Sequence, residues 1–320
     1  MPSSTSSSES ALAKRSLVSL LAVFAMLVSA GIAVWQAMPL SKVSKQRYLA
    51  AASDHVDMLR ESKGEEGRII LIGGSGAAFS ISAEQLGKDL GRPVYNGGIQ
   101  AGIGFRNLID LYTDQLDPEN DLIVLLPEPE LLSGEARYSQ VWCDVVFLRK
   151  DIGRLIGQPR CLPNILHRTY QDVRHHLART DAVDPVYRRS GFNAVGDLTS
   201  HLDIDRPAMA VNTYQMPDVS EQRLATFTDY VTTHLRKRGF DLLYIPAAMP
   251  QAACERSPER VRTMIAELET LTTDGPIPAD MEEFCLAPDL FFDGAGHLNK
   301  GGRDVQTENV RKRLAAFLAR

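Results

Sequence analysis

The chain has 320 residues, a formal net charge of -5, 44% hydrophobic residues and 23% charged residues. That length accommodates one sizeable α/β domain together with an anchor and an insertion. A slightly acidic balance with no basic domain argues against nucleic acid as a partner.

In chain order, residues 1–15 form a Ser-rich tail expected to be disordered. Lys14-Arg15 precede residues 16–38, a run without charge that is long enough to cross a bilayer as one helix. It reads as an uncleaved transmembrane signal anchor with Trp35 near one interface. A signal peptide cleaved after Val28-Ser29-Ala30 is the alternative. Lys14 and Arg15 before the run, and Lys42, Lys45 and Arg47 after it, leave the orientation open. Residues 39–67 read as a stalk, helical over 42–63 and ended by Lys63-Gly-Glu-Glu-Gly67. The domain is then 68–320, with an insertion at about 133–218.

From residue 68 a strand–helix rhythm sets in. Residues 68–72 are apolar and β-branched and read as a buried strand. Gly73-Gly74-Ser75-Gly76 follows, and then an apolar pattern over 77–90 that suits one helix. Residues 93–96 read as a short strand, 105–115 as a helix and 121–126 as a strand covered on both faces. The rhythm resumes with a helix over 220–238 that Ser220 caps and Gly239 closes, and a strand over 240–245. A helix over 258–271, a short strand over 289–292 and a final helix over 304–318 complete it. Alternating units of this kind predict a parallel sheet between helix layers, here of five strands.

The Gly-rich stretch admits three readings. A phosphate loop needs a Lys that is absent, and Gly74-Ser-Gly76-Ala-Ala-Phe79 lacks the third Gly of a dinucleotide fingerprint. A plain turn capped by Ser75 is the bland reading. The third is a nucleophile at a strand-to-helix junction, where helix N-terminal N–H groups favour an oxyanion. Near the other end of the chain, Asp293-Gly-Ala-Gly-His297-Leu-Asn lies in a Gly-rich loop. A serine nucleophile needs a base, and the base needs a carboxylate to hold its tautomer. His297 and Asp293 supply both, in the chain order Ser…Asp…His. Ser75, Gly98 and Glu128 each follow the carboxyl end of an expected strand, where sites of open parallel sheets lie.

These blocks resemble the SGNH, or GDSL-like, hydrolase superfamily, and within it the membrane-anchored DltD-like and polysaccharide O-acetylation branch. Gly73-Gly74-Ser75 is similar to the nucleophile block, Asn96-Gly97-Gly98 to the second and Asp293 to His297 to the last. The resemblance covers residues 68–132 and 220–320. Three departures stand out: Gly-Gly-Ser in place of Gly-Asp-Ser, an Asp–His spacing one residue longer, and Leu126-Pro127-Glu128-Pro129 where the third block carries an oxyanion Asn. The resemblance implies a flavodoxin-like three-layer α/β/α SGNH core with a parallel sheet, an inserted middle segment and one N-terminal transmembrane helix. It implies Ser75, His297 and Asp293 as catalytic residues, with the N–H groups of Ser75 and Gly98 as oxyanion donors. Asn96, Glu128, Asp197 and His201 are the further site-lining candidates. Asp197 and His201 come from Asn193-Ala-Val-Gly-Asp197-Leu-Thr-Ser-His201, which also reads as a capped turn.

Two features have bland and functional readings side by side. Residues 149–189 hold nine Lys or Arg against four Asp, either a basic surface for an anionic partner or a solvated helical face. His175-His176 has no third ligand at metal spacing and reads as surface. Cys143, Cys161, Cys254 and Cys285 stand in no C-x-x-C pair, which argues against zinc. Proximity pairs Cys143 with Cys161 and Cys254 with Cys285; four buried free thiols is the alternative. Disulfides would place the domain on the periplasmic or extracytoplasmic side of the cell membrane.

The expected function is a membrane-anchored serine esterase or O-acyltransferase acting on acyl esters of a cell-envelope polysaccharide, without metal or cofactor. By the resemblance, a membrane-bound O-acyltransferase is the expected partner. The alternative is a non-catalytic glycan-binding or accessory protein for such an enzyme.

Overall fold

The computed structural model of the chain describes residues 6–133, 139–178, 183–204 and 211–320. Helix α1 (Ser6–Ala37) begins inside the tail expected to be disordered, of which residues 1–5 lie outside the described residues. Within it Ala13–Ala37, 25 residues with a hydropathy of 2.6, is long and apolar enough to cross a membrane. Trp35 does not stand at an open interface. It is buried, and its Nε1–H donates to the Phe147 carbonyl at 3.2 Å.

Residues 39–67 are not a free stalk. Ser41 caps a short helix, Lys42–Gln46, by accepting from the Ser44 N–H. Helix α2 (Ala51–Glu61) then turns Ala51, Ala52, His55, Val56 and Leu59 inward, an apolar stripe at helical spacing. Val56 and Leu59 belong to the main core, so this segment is part of the domain.

Strand β1 (Arg68–Gly73) is buried throughout. Helix α3 (Ser75–Ser80) follows and stops where Ile81 turns extended. Helix α4 (Ala83–Leu90) restarts under a Ser82 cap that accepts from the Gln85 N–H, and ends at Gly91, whose φ is 64. The single helix expected over 77–90 is therefore two. A Ser is favourable at an N-cap and less so inside a helix, so Ser82 is where the chain breaks. Strand β2 (Val94–Asn96), helix α5 (Phe105–Tyr112) and strand β3 (Asp121–Leu126) follow as expected.

The insertion holds helices α6 (Gln140–Arg149), α7 (Ile152–Gly157) and α8 (Leu162–Ala178). A disulfide joins Cys143 on α6 to Cys161 just before α8. Much of the basic run is consumed in structure. Arg168 binds Asp144 through two N–H···O contacts of 2.7 and 2.6 Å, and Arg189 binds Asp54 in the same fork-to-fork manner. Lys150 donates to the carbonyls of Gln36 and Met38 at the end of α1.

Helix α9 (Glu221–His234) has Ser220 as its N-cap, and Gly239 takes the left-handed conformation (φ 91) beyond its last turn. Strand β4 (Asp241–Tyr244) follows. Strand β5 (Met249–Pro250) precedes helix α10 (Pro258–Glu269) and pairs in parallel with β6 (Cys285–Leu286), beside the Cys254–Cys285 disulfide. Both disulfides join the cysteines that lie nearest in sequence.

The main sheet has four parallel strands in the order β2-β1-β3-β4. The expected fifth strand is absent from it. Residues Phe291–Gly294 form β7, which pairs antiparallel with β8 (His297–Leu298) as a small hairpin, before helix α11 (Lys300–Leu318). A short apolar run does not reveal its partner, and here the Gly-rich loop returns the chain on itself instead of onto β4.

Side chains alternate across the sheet. Ile70, Ile72, Ile123 and Leu125 face a core shared with α2, α5, α6, α9 and α10. Ile69, Leu71, Val124 and Leu126 face a second core with α3, α4 and α11. Helices thus cover both faces of a parallel sheet.

At the amino end of the sheet lies a fully buried ion pair. Arg68 Nε donates to Asp121 Oδ1 and Nη2 to Oδ2, both at 2.7 Å, while Nη1 donates to the Leu59 carbonyl at 2.7 Å and Ser62 Oγ at 2.8 Å. The pair welds β1 to β3 and fastens the end of α2 to them. Removing one partner strands a buried charge. Asp121→Ala should therefore lower the unfolding free energy by about 3–5 kcal/mol. Denaturant titration of the detergent-solubilised chain measures this, and a loss below about 1 kcal/mol would show that water reaches Arg68.

Candidate active site

In the order β2-β1-β3 the chain reverses the direction in which it crosses the parallel sheet beside β1, and the loops after β1, β2 and β3 meet at the carboxyl edge. Ser75 is the first residue of α3 and half-buried. Gly74 precedes it as N-cap and offers no side-chain cap. The missing cap comes from another loop. Glu128, two residues beyond β3, accepts from the Gly74 N–H through Oε2 at 2.8 Å and from the Gly76 N–H through Oε1 at 2.6 Å. Its carboxyl is 5% exposed, and burial pushes it up to about 7, with the two N–H groups pulling the other way.

Only glycine fits at this turn. A methyl group at Gly73 would lie 2.7 Å from the Leu126 carbonyl oxygen. At Gly74 it would lie 2.7 Å from Glu128 Oε1 and from the Ala101 nitrogen.

The last loop carries the second half of the site. His297 Nδ1 and Asp293 Oδ1 are 2.7 Å apart, with both side chains about four-fifths buried. The β7–β8 hairpin brings them together, so the longer Asp–His spacing does not prevent contact. Asp293 Oδ2 accepts from the Tyr187 hydroxyl at 2.7 Å, and that hydroxyl is 3.2 Å from His297 Nδ1. The His297 ring stacks on Phe79, with centroids 4.0 Å apart and planes 11° apart. Phe79 lies one turn beyond Ser75 on α3, and the Ser80 hydroxyl donates to the Gly296 carbonyl at 3.1 Å. Helix α3 and the Asp–His loop are thus packed together. No hydrogen bond joins Ser75 to His297 among the described residues.

The other candidates serve the scaffold. Asn96 is fully buried; its Nδ2 donates to the Ala77 carbonyl and to Asp197 Oδ1, and its Oδ1 accepts from the Gly98 N–H at 2.9 Å. Gly98 therefore differs from the sequence expectation: its N–H is engaged and is not a free oxyanion donor. Among the described residues this leaves the Ser75 N–H as the donor of the turn without a partner. Asp197 accepts from the N–H groups of Ala83 and Glu84, which caps α4, and lies 3.3 Å from the Arg303 guanidinium. His201 is buried against Phe79 and Phe292, with ring centroids at 4.6 and 5.4 Å. Burial first, then the Arg303 charge, lowers its imidazole to about 4. It is neutral at pH 7 and packs behind the Asp–His loop.

Tyr187 escaped sequence reasoning. It sits in the basic run, and a single Tyr there carries no spacing signal. Phe79 ends the Gly-rich stretch Gly74-Ser-Gly76-Ala-Ala-Phe79, but its place as the floor under His297 depends on the fold.

Compared with models of protein families, with curated proteins and with solved structures, the chain matches none. What the fold defines is a mixed α/β protein with a four-stranded parallel sheet and one N-terminal helix long and apolar enough to cross a membrane. At the carboxyl edge of that sheet stand a helix-terminal serine and an oriented Asp–His pair.

The shifted groups give opposite pH dependences. Glu128 has a folded pKa of about 7 against 4.5, so its protonated form favours the fold. That contribution is full below about 4.5 and is lost as pH rises to about 7. His55 and His201, both lowered to about 4 from 6.5, lose stability as pH falls below about 6.5. Glu128→Gln isolates the first effect. Relative to that variant, the natural chain should become less stable between pH 4.5 and 7, measured by melting temperature across pH. Parallel pH profiles for the two proteins would show that the carboxyl is not buried as described.

Proposed function

We propose that this chain is an SGNH-type serine hydrolase, anchored in a cell membrane with its domain on the extracytoplasmic side. It acts as an esterase or O-acyltransferase on acyl esters of a cell-envelope polysaccharide. One observation carries the reading: an Asp293–His297 pair at 2.7 Å, packed through Phe79 on the helix that Ser75 begins. With Nδ1 held by the carboxylate, Nε2 is the nitrogen that takes the serine proton. In this reading Ser75 Oγ attacks the acyl carbonyl, His297 accepts its proton and later returns it to the leaving alcohol, and the Ser75 N–H stabilises the oxyanion. Each such donor is worth roughly 3 kcal/mol in a transition state. Tyr187 holds the second carboxylate oxygen of Asp293. Two disulfides support an oxidising compartment. Envelope glycan and a membrane-bound O-acyltransferase enter as substrate and partner through the resemblance alone.

A specific observation favours the accessory reading, in which the domain binds glycan or assists a partner enzyme without turnover. Glu128 occupies the N–H groups of Gly74 and Gly76, and Asn96 occupies that of Gly98, where an acyl-transfer site wants open donors.

A covalent label separates the two. The full chain in detergent, treated with a fluorophosphonate, should be modified at Ser75, and Ser75→Ala and His297→Ala should abolish both labelling and acetyl-ester turnover. Asp293→Asn should reduce turnover by about three to four orders of magnitude, because the wrong tautomer disables the base. A folded protein that neither labels nor turns over would support the accessory reading. A loss below about tenfold in Asp293→Asn would assign the orienting role to another group.

A further inference from the structure

One wall of the candidate site comes from residues 39–67, which hold none of Ser75, Asp293 and His297. Tyr48 opens a single helical turn, Tyr48–Ala50, just before α2, and it is buried. Its ring meets the Tyr187 ring edge-on, with centroids 5.7 Å apart and planes at 69°. Its hydroxyl donates to the Ile99 carbonyl at 2.6 Å, in the loop after β2. Burial first, then the neighbouring Tyr187 and Glu128, push this phenol well above its ordinary value, so it stays protonated and remains a donor. Tyr112 donates to the Gly97 carbonyl at 2.8 Å, so a tyrosine holds the carbonyl on each side of Gly98.

The loop that carries Tyr187 is docked on the same segment. Arg47 and Arg188 form an antiparallel backbone bridge. Next along the loop, Arg189 binds the Asp54 carboxylate through two guanidinium nitrogens. Phe192 then packs on Tyr48, with centroids 5.1 Å apart, and edge-on against His55 at 4.9 Å. Within the loop, Asp184 Oδ1 accepts from the N–H groups of Val186 and Tyr187, both at 2.8 Å. Segment 47–55 therefore sets where the Tyr187 hydroxyl lies.

That position bears on the base. The Tyr187 hydroxyl gives its one proton to Asp293 Oδ2 at 2.7 Å, so its oxygen faces His297 Nδ1, 3.2 Å away, as an acceptor. Asp293 Oδ1, at 2.7 Å, is an acceptor too. Both groups beside Nδ1 thus require a proton on it, which leaves Nε2 bare. The pair keeps this geometry only while the carboxylate is held with Oδ1 toward the ring, and Tyr187 is the group that holds its other oxygen.

We infer that Tyr48 and Tyr187 are positioning residues of the Asp293–His297 pair: Tyr48 holds the Tyr187 ring, Tyr187 holds the carboxylate, and the carboxylate holds the imidazole. The catalytic consequence rests on the hydrolase reading above. A misplacement of about 1 Å at a base costs about a hundredfold in rate.

The test pairs a spectroscopic readout with a kinetic one on the full chain in detergent. A short charge-assisted N–H···O bond between His297 and Asp293 gives a proton resonance at low field, assigned by its loss in Asp293→Asn. Tyr187→Phe and Tyr48→Leu should weaken or broaden that signal. Each should lower kcat for an acetyl ester by about 10–100-fold with KM little changed. Tyr48→Met, which keeps more of the buried volume, should lose rate in the same way if Tyr48→Leu does not fold, and Tyr48→Phe, which keeps the ring, should rescue most of the loss. The double variant Tyr48→Leu with Tyr187→Phe should be no slower than Tyr187→Phe alone, within about twofold. Losses that multiply in the double variant would overturn the link through Tyr187. A lower melting temperature in Tyr48→Leu or Tyr48→Met, with signal and kcat unchanged, would reduce Tyr48 to packing. A natural chain without the low-field signal would overturn the positioning itself. A signal that responds to Tyr48→Leu in a protein with no ester turnover would leave the positioning standing and overturn the hydrolase reading.

Discussion

The structure depends on how closely three backbone segments approach at the end of β1. Gly73 lies against β3, Gly74 against the loop after β2, and Gly98 against α3, where a methyl group would lie 2.6 Å from the Ala78 nitrogen. No side chain fits in these gaps. The approach brings the first turn of α3 within reach of Glu128, which accepts from the Gly74 and Gly76 N–H groups, and of Asn96, which donates to the Ala77 carbonyl. A buried helix terminus needs such partners, and here they come from the ends of two other strands.

That arrangement sets the electrostatics around Ser75. The N–H groups of the turn favour negative charge, and the chain already supplies one in the Glu128 carboxyl. Its raised pKa expresses the conflict between burial, which disfavours the carboxylate, and the N–H donors, which favour it. The Asp–His pair packs on α3, held by Tyr187 and by the face of Phe79. The turn at Ser75 and the His297 ring are thus fixed by separate sets of contacts. The Asn96–Asp197–Arg303 cluster links them by tying the loop after β2 to α4 and α11.

The insertion joins the site to the helix that precedes the domain. Its α6–α8 collar grips Trp35, Gln36 and Met38, and its later turn delivers Tyr187 to Asp293. The basic residues within it are largely spent on these joints, as the Arg168–Asp144 and Arg189–Asp54 pairs show. The insertion, which has no strand of the main sheet among its described residues, therefore makes two joints: it sets Tyr187 against Asp293 and it packs on the end of the apolar helix α1.

Much of this was legible in the chain by itself, because it rests on local pattern. The apolar run of α1, the buried strands β1, β3 and β4, the Ser220 and Gly239 boundaries of α9 and the grouping of Ser75, Gly98 and Glu128 at one edge follow from periodicity, caps and strand ends. Contact between Asp293 and His297 follows from their nearness in one loop. Tertiary structure decided what depends on partners distant in sequence. Residues 291–294 found their pairing in a hairpin and not in the sheet, and residues 39–67 were drawn into the core by apolar surface on the insertion and the sheet. Glu128 became the cap of α3 across 54 positions, Gly98 lost its free N–H to Asn96, and Tyr187 arrived at Asp293 across 106. Hydrogen bonds and packing across such separations leave no period in a sequence, and only the closed fold brings their two halves within reach.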